Sequence, residues 1–270
     1  MRSTQVMNDF REVDHGIQCL ISAFNGDAGA LLVKALDACH PGVARQVQEN
    51  FNAWIPGIRR DTYLACFSEH SSDDNEFGRL SMWRAYGGGA GVAFIFKCEP
   101  FFSEADFPAQ SAPVRYLNHA GVKDELIELA GQISSQSEFV RTQQPDHVQN
   151  MLFEAFRFAA VATKHPAFKE EHEWRVVAMP SLRSSSSLPG CIETIGGIPQ
   201  RVLKVPLRNN PAIGLDGLDL DEFISCVLIG SCEHGEVIWR ALVEEMEDSG
   251  VTNAANRVRI TGIPLRANQR

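Results

Sequence analysis

The sequence predicts an α+β fold, and three observations carry that expectation. Short apolar runs of strand character (TYLACFSE, GVAFIFKC, HEWRVVAMP, FISCVLIG) are separated by long stretches of helical periodicity. Strands and helices mix without the strict alternation of a doubly wound sheet. The last third alone reads as a β-α-β unit, FISCVLIG, then GEVIWRALVEEMEDSG, then RVRITGIPL. No internal repeat and no linker composition divides residues 1–270. A single domain with a mixed or antiparallel sheet and helical insertions is therefore expected.

The opening RSTQVM is strand-like and runs into the turn formers Asn8 and Asp9. Val13, Ile17, Leu20, Ile21 and Phe24 then fall at helical spacing, and a second helical pattern covers residues 28–54 with a break at 40–42. Pro56 and Gly57 are expected to close it. TYLACFSE reads as a buried strand followed by the polar loop SSDDNE. Residues 80–86 are short and amphipathic and end at the glycines 87–89, after which GVAFIFKC is a second buried strand. PVRYL is a third, edge-like strand. Residues 121–164 are helical by pattern, with Leu126, Ile127, Leu129, Ile133, Leu152, Phe153, Phe156 and Val161 giving broad apolar faces. HEWRVVAMP returns to strand, residues 184–187 form an exposed serine loop, and RVLKVPL is a further strand. In the closing helix Val237, Ile238, Ala241, Leu242 and Met246 share one face, with Gly250 as its C-cap.

Apolar residues make up 44% of the chain and charged residues 22%, values that support a substantial core and exclude disorder as the main state. A net charge of −9 argues against non-specific nucleic-acid binding, which needs a basic face. The seven cysteines are dispersed without a C-x-x-C pair, so buried free thiols, with Cys66 and Cys226 in apolar runs, and a reducing cytoplasmic compartment are expected. The first fifteen residues lack the apolar segment of a signal peptide. No apolar run approaches the roughly 20 residues of a membrane span. A soluble protein with no membrane partner follows as an expectation.

The segment FKEEHEWRVVAM carries the most chemistry. On a strand, Glu171, Glu173 and Arg175 share one face, and His172, Trp174 and Val176 the other. Two carboxylates about 7 Å apart need a ligand or cation between them, and Arg175 is the cation at hand. Such an acid pair can hold a ribose hydroxyl and support developing oxocarbenium charge. The alternative is a solvated ion-pair ladder. Trp174, on the opposite face, is expected to be buried.

The glycines at 87, 88, 89 and 91 let backbone amides approach a ligand closely, and Trp83, Arg84 and Tyr86 beside them suit a nucleotide-like ligand. The alternatives are a plain tight turn and, for Trp83, core packing. No Walker loop or dinucleotide fingerprint is present. In NDFRE, Asn8 or Asp9 caps a helix with Glu12 in the capping-box position. CFSE places Ser68 and Glu69 at a strand end. The histidines lack metal-ligand spacing, so no metal site is assigned.

Taken in order, NDFRE, YLACFSE, LSMWRAYGGGAGVAF, PVRY, FKEEHEWRVV and CVLIGS resemble the bacterial domain of unknown function 2971 family over residues 5–235. That family is uncharacterised. Its members usually carry a strand before the ND..E motif, and so little chain precedes Asn8 that this strand is expected to be missing. A more remote resemblance is to ADP-ribosyltransferases. It implies Glu173 as the catalytic acid toward NAD as substrate, Glu171 as the acceptor-side acid, Ser68 as the serine motif and Tyr86 stacking on nicotinamide. Ser68, Trp83, Arg84, Tyr86, Gly87 and Arg175 would then line the ligand site. An ADP-ribosyltransferase-like toxin or phage-defence effector is one reading. A non-catalytic ligand- or protein-binding module of a defence system is a second. A metal-dependent hydrolase using Glu69, Glu171 and Glu173 is a third, disfavoured by the missing ligand spacing.

Overall fold

A computed structural model of the chain describes residues 1–7 and 12–264. The elements begin with β1 (Arg2–Ser3), α1 (Glu12–Phe24), α2 (Asp27–Asp37), α3 (Val43–Asp61) and β2 (Tyr63–Ser68). Next come α4 (Leu80–Tyr86), β3 (Val92–Phe96), β4 (Ala109–Pro113) and β5 (Arg115–Tyr116). The helices α5 (His119–Ser135), α6 (Ser137–Thr142) and α7 (Pro145–Ala162) lead into β6 (Thr163–Lys164) and β7 (Glu173–Ala178). The chain closes with β8 (Gly190–Ile195), β9 (Ile198–Leu203), α8 (Leu220–Phe223), β10 (Ile224–Ile229), α9 (Gly235–Asp248), α10 (Ala254–Arg257) and β11 (Val258–Ile260). The fold is α+β, as the patterning predicts.

These elements gather into two compact units, one of residues 1–67 and 108–204, the other of residues 68–107 and 205–270. Each unit is assembled from two separated stretches of chain. No linker composition marks the crossings, since none of them is a free-standing connector between two consecutive domains.

In the first unit, six strands run in the order β4-β7-β2-β1-β9-β8, and β5 pairs with β6 in parallel. A strand does precede Asn8: Arg2–Ser3 is antiparallel to both β2 and β9. The core comes from the helices, where Ile17 and Leu20 of α1, Leu32 and Leu36 of α2, Val47 and Ile58 of α3 and Val161 of α7 are almost wholly enclosed. Leu126 and Ile133 of α5 join them. The capping reading of Asn8 and Asp9 lies outside the described residues.

The structure corrects several boundaries. Helix α3 runs through Pro56 to Asp61. Proline removes one N–H, but Pro56 is exposed, so the orphaned carbonyl a turn earlier is open to water, while the buried Ile58 anchors the last turn. The strand expected in RVLKVPL lies earlier, at β9, and its partner β8 was not recognised in the sequence. Gly196 (φ 60°) and Gly197 (φ 80°) form the two-residue turn between them, the positive-φ pair that a tight hairpin demands. Of the seven cysteines only Cys19 is buried; Cys66 and Cys98 are exposed and Cys226 is half-buried, because apolar flanks do not decide which way an alternating strand residue points.

In the second unit, β10 lies between β11, to which it is parallel, and β3, to which it is antiparallel. The β-α-β reading therefore holds. The inward face of α9 is rotated from the expected one: Val237 (66% exposed) and Ala241 face solvent, while Trp239 and Val243 pack inward beside Ile238, Leu242 and Met246. The Trp239 indole N–H draws the helix down by donating to the Val258 carbonyl at 3.0 Å. Among the described residues no single helix is long and apolar enough to cross a membrane.

Helices α1 and α7 touch backbone to backbone at Gly16, where a Cβ would lie 2.0 Å from the Ala160 carbonyl oxygen. Helix propensity alone favours alanine over glycine by about 1 kcal/mol. The clash has the opposite sign, and overpacking a buried site typically costs about 1–3 kcal/mol. Gly16→Ala is expected to lower the urea midpoint; a raised midpoint would show that the two helices separate freely.

Candidate functional site

The sequence places Glu171, Glu173 and Arg175 on one strand face, and the structure alters the first of them. Residues Pro166–Glu171 form a 3-10 helix, His172 takes a left-handed conformation (φ 45°), and the strand begins only at Glu173. The break comes from a chain reversal that periodicity cannot see. Glu171 therefore reaches the site from a turn, not from β7. Within β7 the expected alternation holds, but the polar face is the inner one. Glu173 is 6% exposed and Arg175 fully enclosed, which removes the solvated-ladder alternative. Trp174 is half-buried, not buried as the alternation suggested.

Two cations and two carboxylates meet here. Arg175 donates from Nε to Glu173 Oε1 at 2.7 Å and from Nη1 to the Val161 carbonyl at 2.6 Å. Lys164 Nζ donates to Glu173 Oε2 at 2.9 Å and to Glu171 Oε2 at 2.6 Å. The formal charges sum to zero, the condition under which ionised groups tolerate such burial. Val161 sits in the last turn of α7, whose unsatisfied carbonyls favour a cation. Lys164 also lies over the Phe168 ring at 4.8 Å. The Glu173 backbone N–H donates to the Tyr116 hydroxyl at 2.8 Å, and the Cys66 side chain hydrogen-bonds the Glu173 carboxylate.

Burial alone would raise the Glu173 pKa. The Arg175 hydrogen bond and charge, with Cys66 and Lys164, outweigh it and hold the group at about 2. Burial pushes the Tyr116 hydroxyl upward, so it stays protonated at neutral pH.

The remaining sequence candidates lie in the second unit, save that Ser68 is also the last residue of β2. Trp83 is a core residue. Its indole N–H donates to the Phe77 carbonyl at 2.7 Å, and a Cβ on Gly230 would approach its ring to 2.9 Å. The apolar strand ending in glycine is thus explained by the tryptophan it must clear. Gly87 closes α4 by donating its N–H to the Trp83 carbonyl at 2.9 Å. A Cβ on Gly91 would lie 2.5 Å from the Gly87 Cα, so these two glycines serve a tight turn. Ser68 accepts from the Arg79 guanidinium. Arg84 is exposed, and Tyr86 keeps 60% of its surface exposed.

The structure brings together Glu171, Glu173 and Arg175, and adds three residues that sequence reasoning left out of the site. Cys66 is a member of the CFS motif that reaches Glu173. Tyr116 lies in the PVRY segment already singled out. Lys164 sits between a helix and His165 with no periodic signal; only the pairing of β6 with β5 delivers it. Among the described residues no three His, Cys, Asp or Glu side chains are grouped to hold a metal ion.

Residues 82–176 match the model of the family described as Protein of unknown function (DUF2971), so the motif resemblance is borne out over that segment. None of the curated proteins and none of the solved structures matches the chain.

Removing one partner of a buried pair costs roughly 3–5 kcal/mol. Glu173→Gln, which removes the carboxylate charge beside the enclosed Arg175, is expected to fall in that range by chemical denaturation, and Glu171→Gln well below it. The Glu173 pKa is depressed on folding, so its contribution is complete above its ordinary value of 4.5 and is lost as pH falls through about 2. Thermal melts across that window should fall steeply for the native chain and less steeply for Glu173→Gln. Equal slopes would detach Glu173 from acid stability.

Proposed function

We propose that the chain is a non-catalytic binding module whose acidic cluster is framework, and that it does not turn over NAD. The observation that carries this reading is the occupancy of Glu173. Both of its carboxylate oxygens are engaged by cations, Oε1 by Arg175 and Oε2 by Lys164, in a residue only 6% exposed. An acid that stabilises a ribose cation must offer an oxygen to the substrate. Here that oxygen would first have to leave a desolvated ion pair, a loss of several kcal/mol.

The contact surface of such a module is better sought at the turn after α4, where Tyr86 and Arg84 are exposed beside the glycines. An aromatic face with a guanidinium suits a nucleotide-like ligand or a protein partner carrying carboxylates or phosphates. The family match, which begins within α4, covers both this turn and the acidic strand.

The experiment is nicotinamide release from NAD by the full chain, run beside Glu171→Gln and Glu173→Gln with their melting curves. No release above the uncatalysed background is expected from any of them. Release by the native chain that disappears in Glu173→Gln, while that variant stays folded, would replace this reading by the ADP-ribosyltransferase-like one. For the binding arm, Tyr86→Ala should abolish a calorimetric or pull-down signal without moving the melting temperature.

A further inference from the structure

Strand β8 lies at one end of the six-stranded order and, among the described residues, pairs only with β9. Its hydrogen-bonding phase is fixed at both ends. The Lys204 N–H donates to the Pro189 carbonyl at 2.9 Å, and Ile195 opposite Ile198 directly closes the two-residue turn. Closely and widely spaced pairs alternate along an antiparallel ladder. Cys191 and Glu193 therefore bond toward β9, and Gly190, Ile192 and Thr194 turn their N–H and C=O groups to the open side. Ile192 is also 68% exposed.

This edge lacks the usual guards. Edge strands are shielded by proline, lysine or a bulge. The other edge, β4, ends in Pro113. The GCIETI of β8 contains no proline or lysine, its register against β9 is unbroken, and its one charge, Glu193, is tied to Lys204 at 2.7 Å.

We propose that β8 pairs antiparallel with β8 of a second copy of this chain, about a two-fold axis passing through Ile192. In that register Ile192 faces Ile192 of the second copy, and Gly190 faces its Thr194. All three outward-facing residues then exchange both backbone hydrogen bonds, and Glu193 lies opposite Cys191. Sliding by two residues one way sets Glu193 against Glu193, a like-charge pair. Sliding the other way leaves the Thr194 groups without a partner inside the strand. For a second copy, the chemistry of the edge thus selects one register. The result is a single sheet running through both copies, joined by main-chain bonds as in strand addition.

The test is sedimentation velocity on the full chain with two variants. The native chain is expected at twice its 29.8 kDa, and Ile192→Lys at the mass of one chain with an unchanged circular dichroism spectrum. Facing Cα atoms in a hydrogen-bonded pair lie about 5.5 Å apart, within disulfide reach. Oxidised Ile192→Cys should therefore run as a covalent dimer on a non-reducing gel, which neither the native chain nor Thr194→Cys does. A native chain that stays at one mass at every concentration overturns the proposal, as does a dimer that survives Ile192→Lys. Should Ile192→Lys fail to fold, the cross-link decides: a native dimer in which Ile192→Cys forms no disulfide overturns this register.

Discussion

The first unit turns on the enclosure of Arg175. A guanidinium with no access to water must be met on its own terms, and the chain does so with a carboxylate and a carbonyl. Glu173 comes from the same strand, the Val161 carbonyl from the end of α7, and Lys164 and Glu171 complete the neutral set from β6 and the turn before β7. Apolar side chains of similar volume would often be at least as stable in such a place. What the charges add is register. A one-residue slip of β7 would carry Glu173 and Arg175 to the opposite face and take Glu173 away from Lys164.

The second unit is organised by exclusion. Trp83 occupies its place because Gly78 and Gly230 carry no Cβ to meet it. Trp83 and the glycines at 87 and 91, which invite a ligand reading in the sequence, serve packing and turn geometry. Tyr86 and Arg84 are what the segment leaves facing outward.

Periodicity made most elements legible. The helices of the first unit, the strands β2, β7 and β10, and the closing β-α-β unit follow from spacing that burial enforces, whereas β3, read as buried, is half-buried with Phe94 exposed. The acid pair was legible as a pair in need of a cation, and Arg175 was found because it lies two residues from Glu173. Lys164 was not, since nine residues and a chain reversal separate it from Glu173, and no local pattern records a contact of that kind. Strand β8 escaped because glycine and threonine alternate with half-exposed residues there, which resembles a loop. Trp174 and Cys66 were misjudged for one reason: neighbours in sequence tell how apolar a strand is, not which of its faces meets the core.

The interleaving of the two units bears on synthesis. A ribosome delivers the first unit complete once Lys204 has emerged, but the second waits for β10 and β11, up to Ile260. At roughly 5–20 residues per second, those 56 further residues (260 − 204) take on the order of several seconds. Until β10 is complete at Ile229, β3 has been made but has no strand to pair with, and its VAFIF run lies bare in the nascent chain. The vulnerable moment of this protein's life is therefore built into its connectivity. The holdase chaperones that shield apolar nascent segments have a defined place to act, between the emergence of Phe96 and that of Ile229.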